Sequence, residues 1–305
     1  MRLAAVIPAT HSPSTLPRCL AAVRAADEPP DELVVVEEPR YAGPAHARNL
    51  GVSRTTADVV VFVDSDVIVA RDAFRRVRAR FREDPSLTAV FGSYDDTVAT
   101  KSLTARFRNL LHHHVHTRSA GPATTFWAGL GAVRRDTFER VGGFDEARYD
   151  RPSIEDVELG LRLAAGGAGI LLDPQIRGTH LKEWTLEQML RTDFADRGIP
   201  WIHLLLARRE VPTTLNLGWR ERASAVTSLL SAVLVLRGRI LAAAASAGAL
   251  MALNRPFYEV LRRRLGWQDA LRCVPLHVAH HLAGAAAVPA GVLTYLARRR
   301  GDRKI

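Results

Sequence analysis

Cysteine is scarce in this sequence. Its 305 residues contain two, Cys19 and Cys273, which excludes a disulfide framework and a thiolate metal site and suits a reducing compartment. There is no internal repeat and no low-complexity linker. The first apolar run, residues 3–7, ends at Pro8 and is too short for a secretory leader. The loop after it, Ala9-Thr10-His11-Ser12-Pro13, holds neither glycine nor lysine. That counts against the basic, glycine-rich phosphate loop of a nucleotidyltransferase, the nearest enzyme alternative.

What is present suits a folded chain: 47% of residues are hydrophobic and 24% charged, enough for one large domain or a domain with an appendage. The net charge of +10 is unevenly placed. From Leu206 onward there are 16 Lys plus Arg against 5 Asp plus Glu, whereas the preceding stretch holds 26 against 27. The positive excess therefore belongs to a tail, and a basic tail serves nucleic acid or an anionic membrane face. A nucleic-acid module needs aromatic residues interleaved on a basic face. Here basic clusters alternate with Ala/Leu/Val runs, which is a membrane pattern, so no nucleic-acid partner is expected. Residues 223–236 and 240–253 are free of charge and flank Arg237-Gly238-Arg239. Residues 273–296 lack Lys, Arg, Asp and Glu and are long enough to cross a bilayer. Two domains are expected, 1–205 and a helical, basic 206–305.

Within the first part, short apolar runs alternate with helical patterns. Strands are predicted at residues 3–7, 32–36, 59–63 and 87–91, with a short one at 170–172. Helices are predicted at 13–26, 45–55, 72–82, 102–117, 154–165 and 186–195. Such alternation predicts an α/β domain with a mostly parallel central sheet, whose ligands bind at the carboxyl ends of the strands. Thr10, Glu37, Glu38, Asp64 and Asp66 all follow such ends and are expected to converge on one rim.

Asp64-Ser65-Asp66 follows the apolar strand Val59-Val60-Val61-Phe62-Val63. Two carboxylates there repel and are partly desolvated, a cost that a hard divalent cation such as Mg²⁺ or Mn²⁺ removes while bridging phosphate oxygens. The plain alternative is a solvated turn. Glu155-Asp156 follows Ser153 at the start of a helix, where acids favour the helix dipole in any case; the functional alternative makes one of them a general base. His180 follows a strand, and an imidazole beside two carboxylates tilts the preference toward Mn²⁺. In His112-His113-His114-Val115-His116, two histidines share a helix face but no Glu-x-x-His accompanies them, which disfavours a zinc site.

Taken in order, these pieces resemble the family 2 glycosyltransferases of GT-A fold. The similarity runs over about residues 1–205 through Val6-Ile7-Pro8-Ala9, Val34-Val35-Val36-Glu37-Glu38, Ala47-Arg48-Asn49-Leu50-Gly51, Phe62-Val63-Asp64-Ser65-Asp66, Phe126-Trp127-Ala128-Gly129, and Gly142-Gly143-Phe144-Asp145-Glu146 followed by Glu155-Asp156-Val157-Glu158-Leu159. The resemblance implies an inverting transfer of a single sugar from a UDP- or GDP-sugar to an acceptor hydroxyl on a glycan or lipid-linked molecule. It implies that Pro8, Ala9, Thr10 and one of Glu37 or Glu38 hold the nucleoside. Arg48 would neutralise the diphosphate or brace the nucleotide loop. Asp64, Ser65 and Asp66 would position nucleotide and metal, with His180 as a further ligand. Trp127, Ala128 and Gly129 would face the sugar or acceptor, and Asp156 would be the base with Glu155 in support. Glutamates at 37 and 38 stand where the family has aspartates. The Gln-x-x-Arg-Trp motif of processive members is absent. The tail, through Asn254-Arg255-Pro256-Phe257-Tyr258, is similar to that of membrane-associated members, which implies a place on the cytoplasmic face of the membrane.

Overall fold

The computed structural model describes residues 1–208 and 218–302. In chain order the elements are β1 (Leu3–Pro8), α1 (Leu16–Arg24), β2 (Glu32–Val36), α2 (Pro44–Ser53), β3 (Val59–Val63), β4 (Val67–Val69), α3 (Ala73–Glu83), β5 (Leu87–Tyr94), α4 (Leu103–Arg118), β6 (Gly121–Ala123), β7 (Leu130–Arg134), α5 (Arg135–Arg140), α6 (Glu155–Ala165), β8 (Gly169–His180), α7 (Leu186–Arg191), α8 (Gly198–Arg208), α9 (Trp219–Leu236), α10 (Ile240–Leu253) and α11 (Arg255–Asp302). A π-helical turn, Thr192–Asp196, follows α7. The chain divides into two compact units: Met1–Ala99 with Val115–Lys182, and Thr100–His114 with Glu183–Ile305. This division falls at different positions from the expected 205/206 boundary, because the first part of α4 joins the helices that follow residue 182.

The first unit is built on an eight-stranded sheet of order β2-β1-β3-β7-β5-β8-β4, with β6 on β8. β1 and β3 read as continuous apolar runs because they are central and covered on both faces: residues 3–7 and 59–63 are fully buried. β1 pairs in parallel with β2 and β3, and β5 with β8. The expectation of a mostly parallel sheet is corrected at β7, which lies antiparallel between β3 and β5. β4 and β6 are also antiparallel to β8, so the sheet is mixed. β8 runs twelve residues where only 170–172 were expected; Pro174 and Gly178 hid it, since both weaken a strand pattern. Two glycines set the helix packing. A Cβ at Gly51 would meet the Val6 side chain at 2.2 Å, and one at Gly160 would meet the Phe126 nitrogen at 2.2 Å. α2 therefore lies close on β1, and α6 close on the 125–126 backbone.

The second unit is helical among its described residues. Its core gathers Phe107, Leu110, Met189, Phe257, Tyr258, Leu261, Ala270 and Cys273. α7 opens with a capping box in which Thr185 and Gln188 satisfy each other's backbone N–H groups. Buried Asp193 pairs with Arg108 at 2.5 Å and with His280 at 2.7 Å. α11 is interrupted at Gly266, which takes φ 80°, a conformation that glycine adopts freely. By length and composition, the span Arg255–Arg299 is apolar enough to cross a membrane.

Candidate active site

The carboxyl ends of β1, β2 and β3 bring the expected residues to one rim of the first unit. The β1 turn is tied to the chain after β2: the Ala9 N–H donates to the Val36 carbonyl at 2.8 Å, and Thr10 Oγ1 donates to the Ala42 carbonyl at 2.7 Å. Ala9 and Thr10 are buried, while Pro8 is half-buried. Glu37 and Glu38 are exposed; Glu38 accepts from the Arg40 N–H at 2.7 Å across a cis Glu38–Pro39 bond. His11 and Tyr41 lie ring to ring at 5.6 Å beside them.

Arg48, on α2, is buried and joins two carboxylates. Its Nη2 donates to Asp64 Oδ1 at 2.7 Å and its Nη1 to Glu155 Oε1 at 2.9 Å, and its Nε is buried without a hydrogen-bond partner. Glu155 also accepts the Ser153 N–H at 2.9 Å. The guanidinium therefore fastens the end of β3 to the start of α6. Arg48 reaches this point because α2 is held at its next residue: Asn49 donates to the Phe144 carbonyl and accepts its N–H, both at 2.9 Å. Asn49 stands in the Ala-Arg-Asn motif, but nothing in that motif signals this clamp.

The segment Trp127-Ala128-Gly129 is a second bridge. The Asp64 N–H donates to the Gly129 carbonyl at 3.0 Å, and the Ala128 N–H donates to Asp156 Oδ2 at 3.2 Å. Asp156 also accepts the Val157 N–H at 2.8 Å. Asp156 and Gly160 share a face of α6, so the close approach at Gly160 is what brings the carboxylate to Ala128. Trp127 packs edge-on against Tyr94 at 4.8 Å.

Asp66 and His180 form a separate pair. His180 Nε2 lies 3.4 Å from Asp66 Oδ2, and the imidazole stacks on Tyr94 at 4.2 Å. β4 pairing with β8 places them, with Val67 opposite His180. Ser65 is half-buried between the two aspartates. Burial pushes the Asp64 carboxyl up, Arg48 opposes it, and the like charge of Asp66 adds to burial. Burial also pushes Asp66 up, but His180 and Lys182 outweigh it and hold this carboxyl below the usual range. Two neighbouring carboxyls are thus set apart by their partners. The Cys19 thiol beneath them is pushed up to about 12, first by burial and then by both aspartates, so it stays protonated and inert.

Among the described residues no three His, Cys, Asp or Glu side chains gather as a metal-holding group. Asp64 is engaged by Arg48, which leaves Asp66 and His180 as the facing pair. The histidine cluster on α4 disperses as well: His116 bonds the Gly92 carbonyl at 3.0 Å, and His114 packs on Phe257.

Residues 35–142 match the family model described as Glycosyl transferase family 2. A pre-mycofactocin glycosyltransferase of Mycobacterium tuberculosis is 30% identical over 164 residues, which is 50% of this chain and 34% of that protein; the match spans about a third of that relative's length. The O-antigen chain rhamnosyltransferase RfbN of Salmonella typhimurium is 23% identical over 239 residues, 66% of this chain and 74% of the relative. Among solved structures, the mannosyltransferase PcManGT from Pyrobaculum calidifontis, in complex with GDP-Man and Mn²⁺, has a TM-score of 0.57 at 17% identity, covering 94% of this chain and 86% of that one. That likeness fixes the fold. Residues 35–142 are thus similar to glycosyltransferase family 2, and the α/β unit has the GT-A fold.

Proposed function

We propose that the protein transfers a single sugar from a nucleotide-diphosphate sugar to an acceptor hydroxyl, with inversion, at the rim of the α/β unit. The observation that carries this reading is the bridge 128–129, which hydrogen-bonds Asp64 on one side and Asp156 on the other. It ties the proposed donor-positioning carboxylate and the proposed base to one segment.

The roles follow from the contacts. Pro8, Ala9 and Thr10, with Glu37 or Glu38, border the space for the nucleoside. Arg48 is already engaged by two carboxylates, which supports bracing rather than a primary hold on the diphosphate. Asp156 is fixed by two backbone N–H groups and takes the proton of the acceptor hydroxyl. Glu155 is locked to Arg48 and supports the start of α6. Trp127 offers an indole edge beside the bridge for the sugar or acceptor.

A divalent cation fits the donor set present. Asp66 and His180 would hold it, an oxygen and an imidazole nitrogen suiting Mn²⁺, and such ions take the rest of their shell from substrate phosphates and water. When bound, it would neutralise charge on the departing nucleoside diphosphate.

We place the catalytic unit on the cytoplasmic side of a membrane, with a glycan or lipid-linked acceptor. The support is the apolar span of α11 with arginines at both ends. Arg262 lies over Trp267 at 5.4 Å and Arg299 over Tyr295 at 5.8 Å; paired aromatic and basic residues of this kind mark membrane interfaces. The side chain of Arg300, which follows Arg298 and Arg299, lies outside the described residues.

The test is a panel of UDP- and GDP-sugars assayed for hydrolysis and transfer by the full chain in detergent, with and without chelator. One donor turned over only with Mn²⁺ or Mg²⁺ is expected. Full activity in chelator would remove the cation from the account.

A further inference from the structure

The α9–α10 hairpin is sorted inside out. Along α9 the residues that face inward are Ser224, Ser228 and Ser231, and on α10 Ser246 is buried beside Ala243 and Leu250. The outward positions carry Val226, Leu229, Leu230, Val233, Val235, Leu236, Ile240 and Leu241, and the last and third last of these are 88% and 87% exposed. Water would favour the reverse, with serines outside and leucines within. Ser224, Ser246 and Ser231 are matched across the hairpin at three levels, and Ser228 Oγ among them is buried without a hydrogen-bond partner. Asn254 Nδ2 donates to Ser224 Oγ at 2.8 Å, Ser246 Oγ to the Thr227 carbonyl at 2.9 Å, and Ser231 Oγ to the Ala243 carbonyl at 3.1 Å. Helices that associate in lipid pack in this way, through small residues and interhelical hydrogen bonds.

Charge identifies what covers the outer face. From residue 222 to residue 258 there are four arginines, Arg222, Arg237, Arg239 and Arg255, and no aspartate or glutamate. The arginines sit at the two ends of the hairpin and none interrupts the apolar stretches. A second protein would need an apolar patch with acidic borders to match this. An anionic bilayer offers both continuously. The outer surface also lacks the polar stripe of a helix lying flat in the interface. At 1.5 Å per residue, α9 and α10 measure about 27 and 21 Å, against about 30 Å of hydrocarbon.

Resting on the membrane location proposed above, we infer that the α9–α10 hairpin is immersed in the bilayer. Its Val/Leu face meets acyl chains, and Arg237 and Arg239 at its tip reach anionic head groups, as long basic side chains at helix ends do.

The experiment uses the full chain with vesicles of phosphatidylcholine and phosphatidylglycerol. The native chain is expected to float with the vesicles, and Leu230→Glu with Ala245→Glu is expected to lower the floated fraction at least about tenfold, the scale set by burying charge at a helix centre. Donor turnover in detergent should be unchanged by that pair, which reports that the variant is folded. A second variant guards against misfolding. Ala245→Cys, carrying a polarity-sensitive label, should be quenched by nitroxide on the acyl chains and not by iodide in water; both native cysteines are buried. If the native chain floats, the glutamate pair floats equally and iodide quenches the label, the hairpin is aqueous and another segment carries the membrane contact. If the native chain does not float at all, the membrane location itself fails and the inference with it. If it stays in solution as a dimer that the glutamate pair dissociates, a second copy covers this face and the inference is overturned.

Discussion

β3 and α9 use the same residue types in opposite ways. β3 is Val-Val-Val-Phe-Val with every side chain inside, and the polar residues that follow it, Asp64 to Asp66, collect at its end. α9 turns Val and Leu outward and keeps serine within. An apolar run records that a segment avoids water, but not what it meets instead. For β3 the answer is a sheet with both faces covered, and the polar strand end becomes a candidate site. For α9, in our account, the answer is lipid.

The largest test of this contrast is a pair of truncations. Phe62→Ala should destabilise the α/β unit by about 3–5 kcal/mol, the usual cost of emptying a large buried site, read by thermal unfolding in detergent. Leu229→Ser should move the same transition by no more than about 0.5 kcal/mol. A cost for Leu229→Ser comparable to that of Phe62→Ala would mean that the α9 face is packed against protein. The next test concerns how packing sets the site. Gly160→Ala places a methyl group against the Phe126 nitrogen, so α6 must move and Asp156 lose its bond to Ala128. Overpacking of this kind costs about 1–3 kcal/mol. Transfer should fall about tenfold or more with donor affinity little changed. Unaltered transfer would show that the Ala128 contact is not needed.

The smallest effect is one of pH. In the helical unit, burial pushes Asp193 up, but His280 and Arg108 outweigh it and hold its carboxyl down at about 2. A depressed folded value adds stability above the unfolded value of about 4 that disappears as pH falls toward 2. The contribution is roughly 2 kcal/mol. An acid titration of the full chain in detergent should lose this increment between pH 4 and 2, and Asp193→Asn should lack it. An identical acid profile for the variant would remove the network from the stability account.

Much of the site was legible because it sits where buried strands end. β2 and β3 fall at their expected bounds, since four and five consecutive apolar residues bounded by acids leave little choice of register. What was not legible depends on partners distant in sequence. β4 has three residues, too few for any period. β7 is a short apolar run just after Gly129, and its direction is set by its neighbours β3 and β5, which is why the sheet is mixed. The Asn49 clamp depends on a backbone ninety-five residues away. The two roles weighed for Arg48 could be compared only once Asp64 and Glu155 were seen on either side of its guanidinium.

The central claim is that Asp156, positioned by the 128–129 bridge, takes the acceptor proton. Asp156→Asn keeps the shape and removes the basicity. With the donor identified by the panel and a hydroxyl acceptor supplied, single-turnover transfer should fall by about 10²-fold or more, while nucleotide affinity measured by calorimetry stays within about twofold. Transfer at the native rate in Asp156→Asn, with a large loss instead in Glu155→Gln, would contradict the assignment and exchange the two roles.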